Sequence, residues 1–378
     1  MTALAGLRVL DASTVVMGPY ATRLLADLGA EVLKVEPPEG NVLRRAGQGG
    51  AMFAHLNRGK RGVVLDLKSP EGQAALRGLA AEADVLVHNM RPDAAARLGL
   101  RRQDLAEANP RLIVACAYGY GAGGPYAARP AYDDLIQAAG GLAATIGAAR
   151  GGDPAYVPLT LADRVVGAHL AFAVMAALAC RERTGIAQEV EVPMFETFAD
   201  LVAGDHLGGL SFDPPEGGPH YARLMSPQRR PYRTADGWIA VLLYTEAHWR
   251  RFFALLGREA ELAEDPRLAT HAARQAHIDH AYGRVAEALL ERGTAEWMAC
   301  LSAADIPVAP VNDIPALLED PHLAATGFWR RVEMPDGRVL RSPAPLGRWS
   351  GTPPAEPGPP PPLDPAAPAL WSQPAGRP

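Results

Sequence analysis

The sequence predicts an α/β fold: a large domain built on a parallel sheet, followed by a smaller α+β domain. Three observations carry this expectation. Short apolar segments alternate with helix-like segments through the first two hundred residues, the pattern of parallel strands joined by right-handed helical crossovers. The length, 378 residues, exceeds one average domain. After about Leu207 the composition shifts to GGLSFDPPEGGPH, whose Gly and Pro mark a linker.

The elements follow in order. GLRVLD (Gly6–Asp11) is a buried strand, and Gly18-Pro19 opens a helix over Tyr20–Leu28 that Gly29 closes. EVLKVE (Glu31–Glu36) is the second strand, ended by Pro37-Pro38, and VVLDL (Val63–Leu67) is the third. Ser69-Pro70-Glu71 starts a helix, with a serine at the cap and proline in the first turn. DVLVHN (Asp84–Asn89) and RLIVACAYG (Arg111–Gly119) are further strands. A long helix is expected from about Arg164 to Arg183, capped by Asp163 and stopped by Gly185, before the strand QEVEVPM (Gln188–Met194). Beyond the linker, PYRTADGWIAVLLY gives two strands around the turn Ala235-Asp236-Gly237, and Trp249–Leu256, Ile278–Leu290 and Ala295–Ala303 have helical apolar spacing. Pro353–Pro378 is dense in Pro and Ala and is expected to be extended, without a packed structure.

About half of the residues are hydrophobic (48%), and 37 basic against 42 acidic side chains leave a net charge of −5. That balance points away from nucleic acid as a partner. Cys116, Cys180 and Cys300 are far apart, so no metal site is expected and a reducing, cytoplasmic compartment fits. No secretory signal is apparent at the N-terminus. The apolar run Ala171–Cys180 is followed directly by Arg181, Glu182 and Arg183, so it is taken as a buried helix, with no membrane as partner.

The turn after the first strand is ASTVVMGPY, not GxGxxG, and GxxxxGK[ST], GxSxG and HExxH are missing as well. Nicotinamide-dependent, P-loop, α/β-hydrolase and zincin chemistries therefore lose support. Asp163 stands in VPLTLADRVVGAHL, where an apolar stretch meets a helix. Locally it is a helix cap. It is equally a carboxylate that a helix N-terminus would keep ionised near neutral pH, able to attack an acyl group. Asn89, Arg91 and Arg97 follow a strand directly in HNMRPDAAARLGL, and Lys68 lies between a strand and a helix N-terminus. Ligands of open α/β sheets gather at such strand ends, and these cations suit phosphate or carboxylate. The alternative for the arginines is a solvated charged loop. Tyr132 and Asp133, in RPAYDDLIQAAGG, are as easily a helix cap and its neighbour.

GLRVLDASTVVMGPYATRLLADLGAEVLKVEPPEG, NRGKRGVVLDLKSPEG, ADVLVHNMRPDAAARLGL and LADRVVGAHLAFAVMAALACRERTGIAQEVEVPMFE, taken in this order, resemble the family III (CaiB/BaiF) CoA-transferases. DIPVAPVNDIPALLEDPHLAATGFW and APLGRWSGTP continue the resemblance, which spans roughly residues 4 to 353. It implies a Rossmann-like large domain over residues 1–205, a linker and small domain over 206–325, a segment returning to the large domain over 326–352, and a Pro-rich tail over 353–378. It also implies an interlocked homodimer. The catalytic aspartate of the family corresponds to Asp163, and the CoA contacts to Val16, Met17, Arg44 or a neighbour, Leu65, Lys68, Asn89, Met90 and Arg97, with Arg91 alongside. No permanently bound cofactor is implied; the substrates are an acyl-CoA thioester and a carboxylic acid.

The implied reaction is CoA transfer through an aspartyl anhydride and an aspartyl-CoA thioester. The alternative is racemisation of 2-methylacyl-CoA, for which relatives use a histidine at the place of Tyr132. A tyrosine is a poor base at neutral pH, and His169 and His206 stand elsewhere. Formyl-CoA transferases carry a glutamine where Val16 stands and a glycine-rich loop where SPQRRPYR (Ser226–Arg233) stands. Arg229 and Arg230 of that loop are candidates for an acidic substrate or the CoA phosphates.

Overall fold

The computed structural model describes residues 1–47, 49–345, 347–366 and 370–371. The chain forms two compact units: Met1–Gly140 with Val157–Leu201 and the chain from His322 on, and Gly141–Tyr156 with Val202–Pro321.

The first unit is built on six parallel strands: β1 (Arg8–Asp11), β2 (Glu31–Glu36), β3 (Arg61–Val64), β4 (Val85–His88), β5 (Ile113–Cys116) and β6 (Glu189–Glu191), in the order β3-β2-β1-β4-β5-β6. This is the doubly wound order whose direction switches between β1 and β4, so the crevice beyond their carboxyl ends is where a ligand would sit. The crossovers include α1 (Met17–Asp27), α2 (Ala51–Asn57), α3 (Pro70–Ala80), α4 (Pro92–Leu98), α5 (Arg102–Leu105) and α6 (Asp133–Ala139). Ser69 caps α3 as its sequence predicts, its hydroxyl accepting the Gly72 N–H at 3.0 Å. Leu10, Leu33, Leu86 and Val114 form one buried face of the sheet, against Leu76 and Leu79 of α3.

α7 (Leu142–Arg150) belongs to the second unit, although sequence placed residues 141–156 in the large domain. α8 (Leu161–Thr184) follows in the first unit and ends at Gly185, whose φ of 75° is a left-handed conformation that glycine adopts without strain. By length and composition α8 could cross a membrane. Here it buries Val166, Leu170, Val174 and Leu178 and packs along α1. α9 (Met194–His206) comes next.

The second unit holds α10 (Ala222–Met225), the antiparallel sheet β7 (Tyr232–Arg233), β8 (Trp238–Val241) and β9 (Val308–Pro310), and helices α11 (Glu246–Leu255), α12 (Glu259–Glu264), α13 (His271–Ala276), α14 (Ile278–Leu289) and α15 (Thr294–Ala303). The turn at Ala235-Asp236-Gly237 joins β7 to β8 as sequence predicts. Phe252, Phe253, Val285, Trp297 and Leu301 fill the core beneath Ile239.

The chain returns to the first unit with the hairpin β10 (Trp329–Glu333) and β11 (Val339–Pro343). The Pro-rich segment corrects an expectation. Its described part is packed: Pro360 is buried, Gly59 donates its N–H to the Gly358 carbonyl at 3.1 Å, and Arg44 donates to the Pro361 carbonyl at 2.9 Å. Trp371 donates Nε1–H to the Leu79 carbonyl at 3.2 Å under the Arg8 guanidinium. Prolines donate no backbone N–H, but their carbonyls still accept, and this segment is held mainly that way.

The loop after β1 is fixed from below. Asp11 is fully buried between Lys34 and Lys60, whose Nζ atoms lie 3.2 and 2.8 Å from its two oxygens. Burial alone would raise the Asp11 carboxyl, but both lysines outweigh it and hold it well below the usual range. Lys34 also donates to the Ser13 carbonyl and Lys60 to the Pro19 carbonyl, so the ion cluster clamps both ends of the β1–α1 turn.

Candidate active site

Asp163 is not the cap of its helix. α8 begins at Leu161 with Thr160 at the cap position, which makes no side-chain cap bond, and Asp163 is the third helical residue. The missing cap comes from a distant residue. The Asp133 carboxylate accepts the Asp163 backbone N–H at 2.9 Å. Asp133 opens α6 and is held one turn on by Gln137, whose amide donates to Asp133 Oδ2 at 2.7 Å. Gln137 also accepts the Val157 N–H at 2.9 Å and donates to the Leu159 carbonyl at 3.2 Å. One buried amide thus ties the strap leading into α8 to the carboxylate that caps it.

This arrangement overturns the expectation that a helix cap keeps Asp163 ionised. Burial pushes its carboxyl up, the nearby Asp133 charge adds to the shift, and Arg164 only partly opposes it, so it titrates at about 7. The helix N-terminus favours an anion, but Asp133 already occupies that role. A carboxylate poised near working pH is half available as the anion and is more basic than an ordinary aspartate, which suits a nucleophile or base. Gly167, one turn on, lets α8 close against α1: a Cβ there would lie 2.6 Å from the Met17 carbonyl oxygen.

A cavity of about 270 Å³ opens at the carboxyl ends of the strands. Ala12 and Thr14 line it beyond β1, Pro37 and Pro38 beyond β2, Leu65 and Lys68 beyond β3, and Met90 beyond β4. Three of the predicted CoA contacts, Leu65, Lys68 and Met90, therefore share one cavity at the switch point. Asn89 stands at its edge in another role: its amide accepts the Thr14 N–H and donates to the Thr14 carbonyl, both at 2.8 Å, pinning the β1 loop to the β4 loop. Arg91 and Arg97 line a second cavity, of about 370 Å³, with Ala122, Gly123 and Ala128. Val16 and Met17 are buried, so they offer backbone rather than side chain.

Arg44, Tyr132, Arg229 and Arg230 line neither of these two cavities. Arg44 is committed to Glu36, with Nε to Oε2 at 2.8 Å, and stacks 3.9 Å from the Phe53 ring. Tyr132 is 68% exposed beside Asp133. Arg229 and Arg230 are exposed on the second unit. Sequence reasoning missed the role of Asp133 and Gln137; their four-residue spacing on a helix was the available signal.

The family profile described as CoA-transferase family III matches residues 4–365. The chain belongs to this family. The family III chain is 32% identical over 352 residues to the succinate–glutarate CoA-transferase of Agrobacterium fabrum, covering 89% of this chain and 87% of that one. It is 34% identical to the succinyl-CoA–L-malate CoA-transferase beta subunit of Chloroflexus aurantiacus, with 93% and 88% covered. Among solved structures, Rv3272 from M. tuberculosis superposes with a TM-score of 0.83 at 32% identity, covering 96% of this chain and 97% of that one.

Proposed function

We propose that this family III transferase moves CoA from an acyl-CoA donor to a carboxylic acid through covalent intermediates on Asp163. The observation that carries the reading is a half-buried carboxylate at the start of α8, positioned through its own N–H by Asp133 and pushed up to about 7. The Asp163 carboxylate attacks the donor thioester carbonyl, the C–S bond breaks, and a mixed anhydride and CoA thiolate form. The thiolate attacks the aspartyl carbonyl, releasing the donor acid and leaving an aspartyl-CoA thioester. The acceptor carboxylate attacks that thioester, forming a second anhydride, and the thiolate returns to the acceptor acyl carbon, regenerating Asp163. Thioester and anhydride are both activated acyl groups, so the protein's task is to align them and exclude water.

The strand-end cavity with Lys68 and the cavity with Arg91 and Arg97 support CoA binding, since both present cations at strand ends. A pairing of two copies fits α8, which leaves an apolar stripe exposed through Ala168, Phe172 and Ala176, with Phe172 at 73% exposure. Asp163→Ala is expected to abolish transfer between acids while retaining CoA binding by calorimetry. Turnover equal to that of the unaltered protein would overturn the assignment. Exchange of the α-hydrogen of a 2-methylacyl-CoA with deuterium oxide, needing no acceptor acid, would instead point to the isomerase reading.

A further inference from the structure

Beside the nucleophile lies a group of cations with too few anions. Arg164 directly follows Asp163 on α8, and its guanidinium lies 5.2 Å from the centre of the Tyr20 ring. Arg23, one turn along α1 from Tyr20, lies 4.8 Å from the same ring. Arg23 is 9% exposed. The Nε atoms of both Arg23 and Arg164 are buried without a hydrogen-bond partner among the described residues. The carboxylate paired with Arg23, Asp27, is already engaged: Arg58 donates Nε to its Oδ1 at 3.2 Å and Nη2 to its Oδ2 at 2.8 Å. Arg23 Nε stands 3.7 Å from Asp27 Oδ2, outside hydrogen-bond reach. His55 nearby is pushed toward its neutral form, first by burial and then by Arg58, Arg23 and Arg164.

Arg23 and Arg58 therefore share the Asp27 carboxylate, Arg164 acts on the neighbouring Asp163, and Arg23 and Arg164 each hold a buried donor in reserve. Buried charges are paired or they bind something. A guanidinium group lying over an aromatic ring can still turn its N–H edge to a carboxylate.

We propose that Arg23 and Arg164 form a carboxylate site that takes the second, non-reacting carboxylate of a dicarboxylic acid. This rests on the reading of Asp163 as the nucleophile: Arg164 is the next residue on the same helix, so an acid held there presents its other end near the reacting group. The pair favours dicarboxylates over monocarboxylates of equal length.

The test compares glutarate with valerate, which has the same number of carbons and a methyl group in place of one carboxylate. Binding of each acid to the full chain without CoA is measured by calorimetry, and the ratio of kcat/KM for the two as CoA acceptors is measured separately. The unaltered protein is expected to bind glutarate more tightly than valerate. Arg164→Gln is expected to lower the glutarate preference roughly ten- to hundred-fold in both measurements, the worth of a lost charged hydrogen bond. Arg23→Gln should act in the same direction; if its burial prevents folding, the half-buried Arg164 decides alone. No preference in the unaltered protein, or an unchanged preference in Arg164→Gln, overturns the site and leaves the pair to an acidic side chain of a second copy. If glutarate binding shows the preference but no donor passes CoA to any acid, the carboxylate site stands and the transfer reading falls.

Discussion

Replacing Asp133 with asparagine tests how this buried carboxylate sets the chemistry of Asp163. With Asp163 titrating at about 7, roughly one tenth of it is ionised at pH 6, half at pH 7 and nine tenths at pH 8. If the ionised carboxylate captures the donor thioester, kcat/KM for the donor climbs about tenfold from pH 6 to pH 8, because that constant reports the free enzyme. A carboxyl at the ordinary 3.8 would give a flat profile over the same window. Asp133→Asn removes the charge that helps raise Asp163 but keeps an oxygen for the Asp163 N–H, now bonded at 2.9 Å. The rising limb should therefore move to lower pH and the climb should shrink. The new amide also turns a donor toward Gln137, which costs about 1–3 kcal/mol of stability. Thermal denaturation tracks that cost separately, and the pH ratio is taken within each protein. The assay is single-turnover CoA release from an acyl-CoA donor across pH 5.5–8.5. A flat profile in the unaltered protein, or an identical limb in the variant, would refute the reasoning.

Between pH 3.8 and about 7 the folded state holds a proton on Asp163 that the unfolded chain has released, so stability falls as pH rises through that window. Asp163→Asn removes this loss, so its stability relative to the unaltered protein should rise with pH, by up to about 4 kcal/mol above pH 7, read from the urea midpoints of both proteins at pH 5 and pH 8. Gly167→Ala should lose about 1–3 kcal/mol by calorimetry, since its methyl would sit 2.6 Å from the Met17 carbonyl oxygen. Trp371→Ala should cost about 2 kcal/mol through lost burial, the bond to Leu79 and the Arg8 contact. An unchanged melting temperature would mean that this part of the C-terminal segment carries no stability.

The sheet was legible in the sequence because its strands are short, apolar and punctuated. Glu31–Glu36 has the predicted bounds, with Pro37-Pro38 ending it, and Ser69 caps α3 where Pro70 and Glu71 signal it. The third strand was placed late: register with β2 runs from Arg61 to Val64, and the chain has already turned by Asp66, whose carbonyl accepts the Ser69 N–H at 3.0 Å. An apolar run shows that a strand exists but not where pairing stops. The setting of Asp163 was not legible, because the carboxylate that caps α8 is Asp133, thirty residues earlier. No local pattern encodes a cap supplied across the fold. The Pro-rich segment was misjudged for a similar reason: its partners, Gly59 and Arg44, lie about three hundred residues away. The Arg23–Tyr20–Arg164 group joins two helices and likewise has no signature along the chain.

The central claim is that acyl transfer passes through Asp163, and the covalent intermediate tests it most directly. The protein is incubated with an acyl-CoA donor, quenched, treated with hydroxylamine or borohydride, and digested for peptide mass analysis. A modification confined to Asp163 is expected, appearing within one turnover and lost when an acceptor acid is added. Turnover without any modified peptide, or with the modification on another residue, would contradict it.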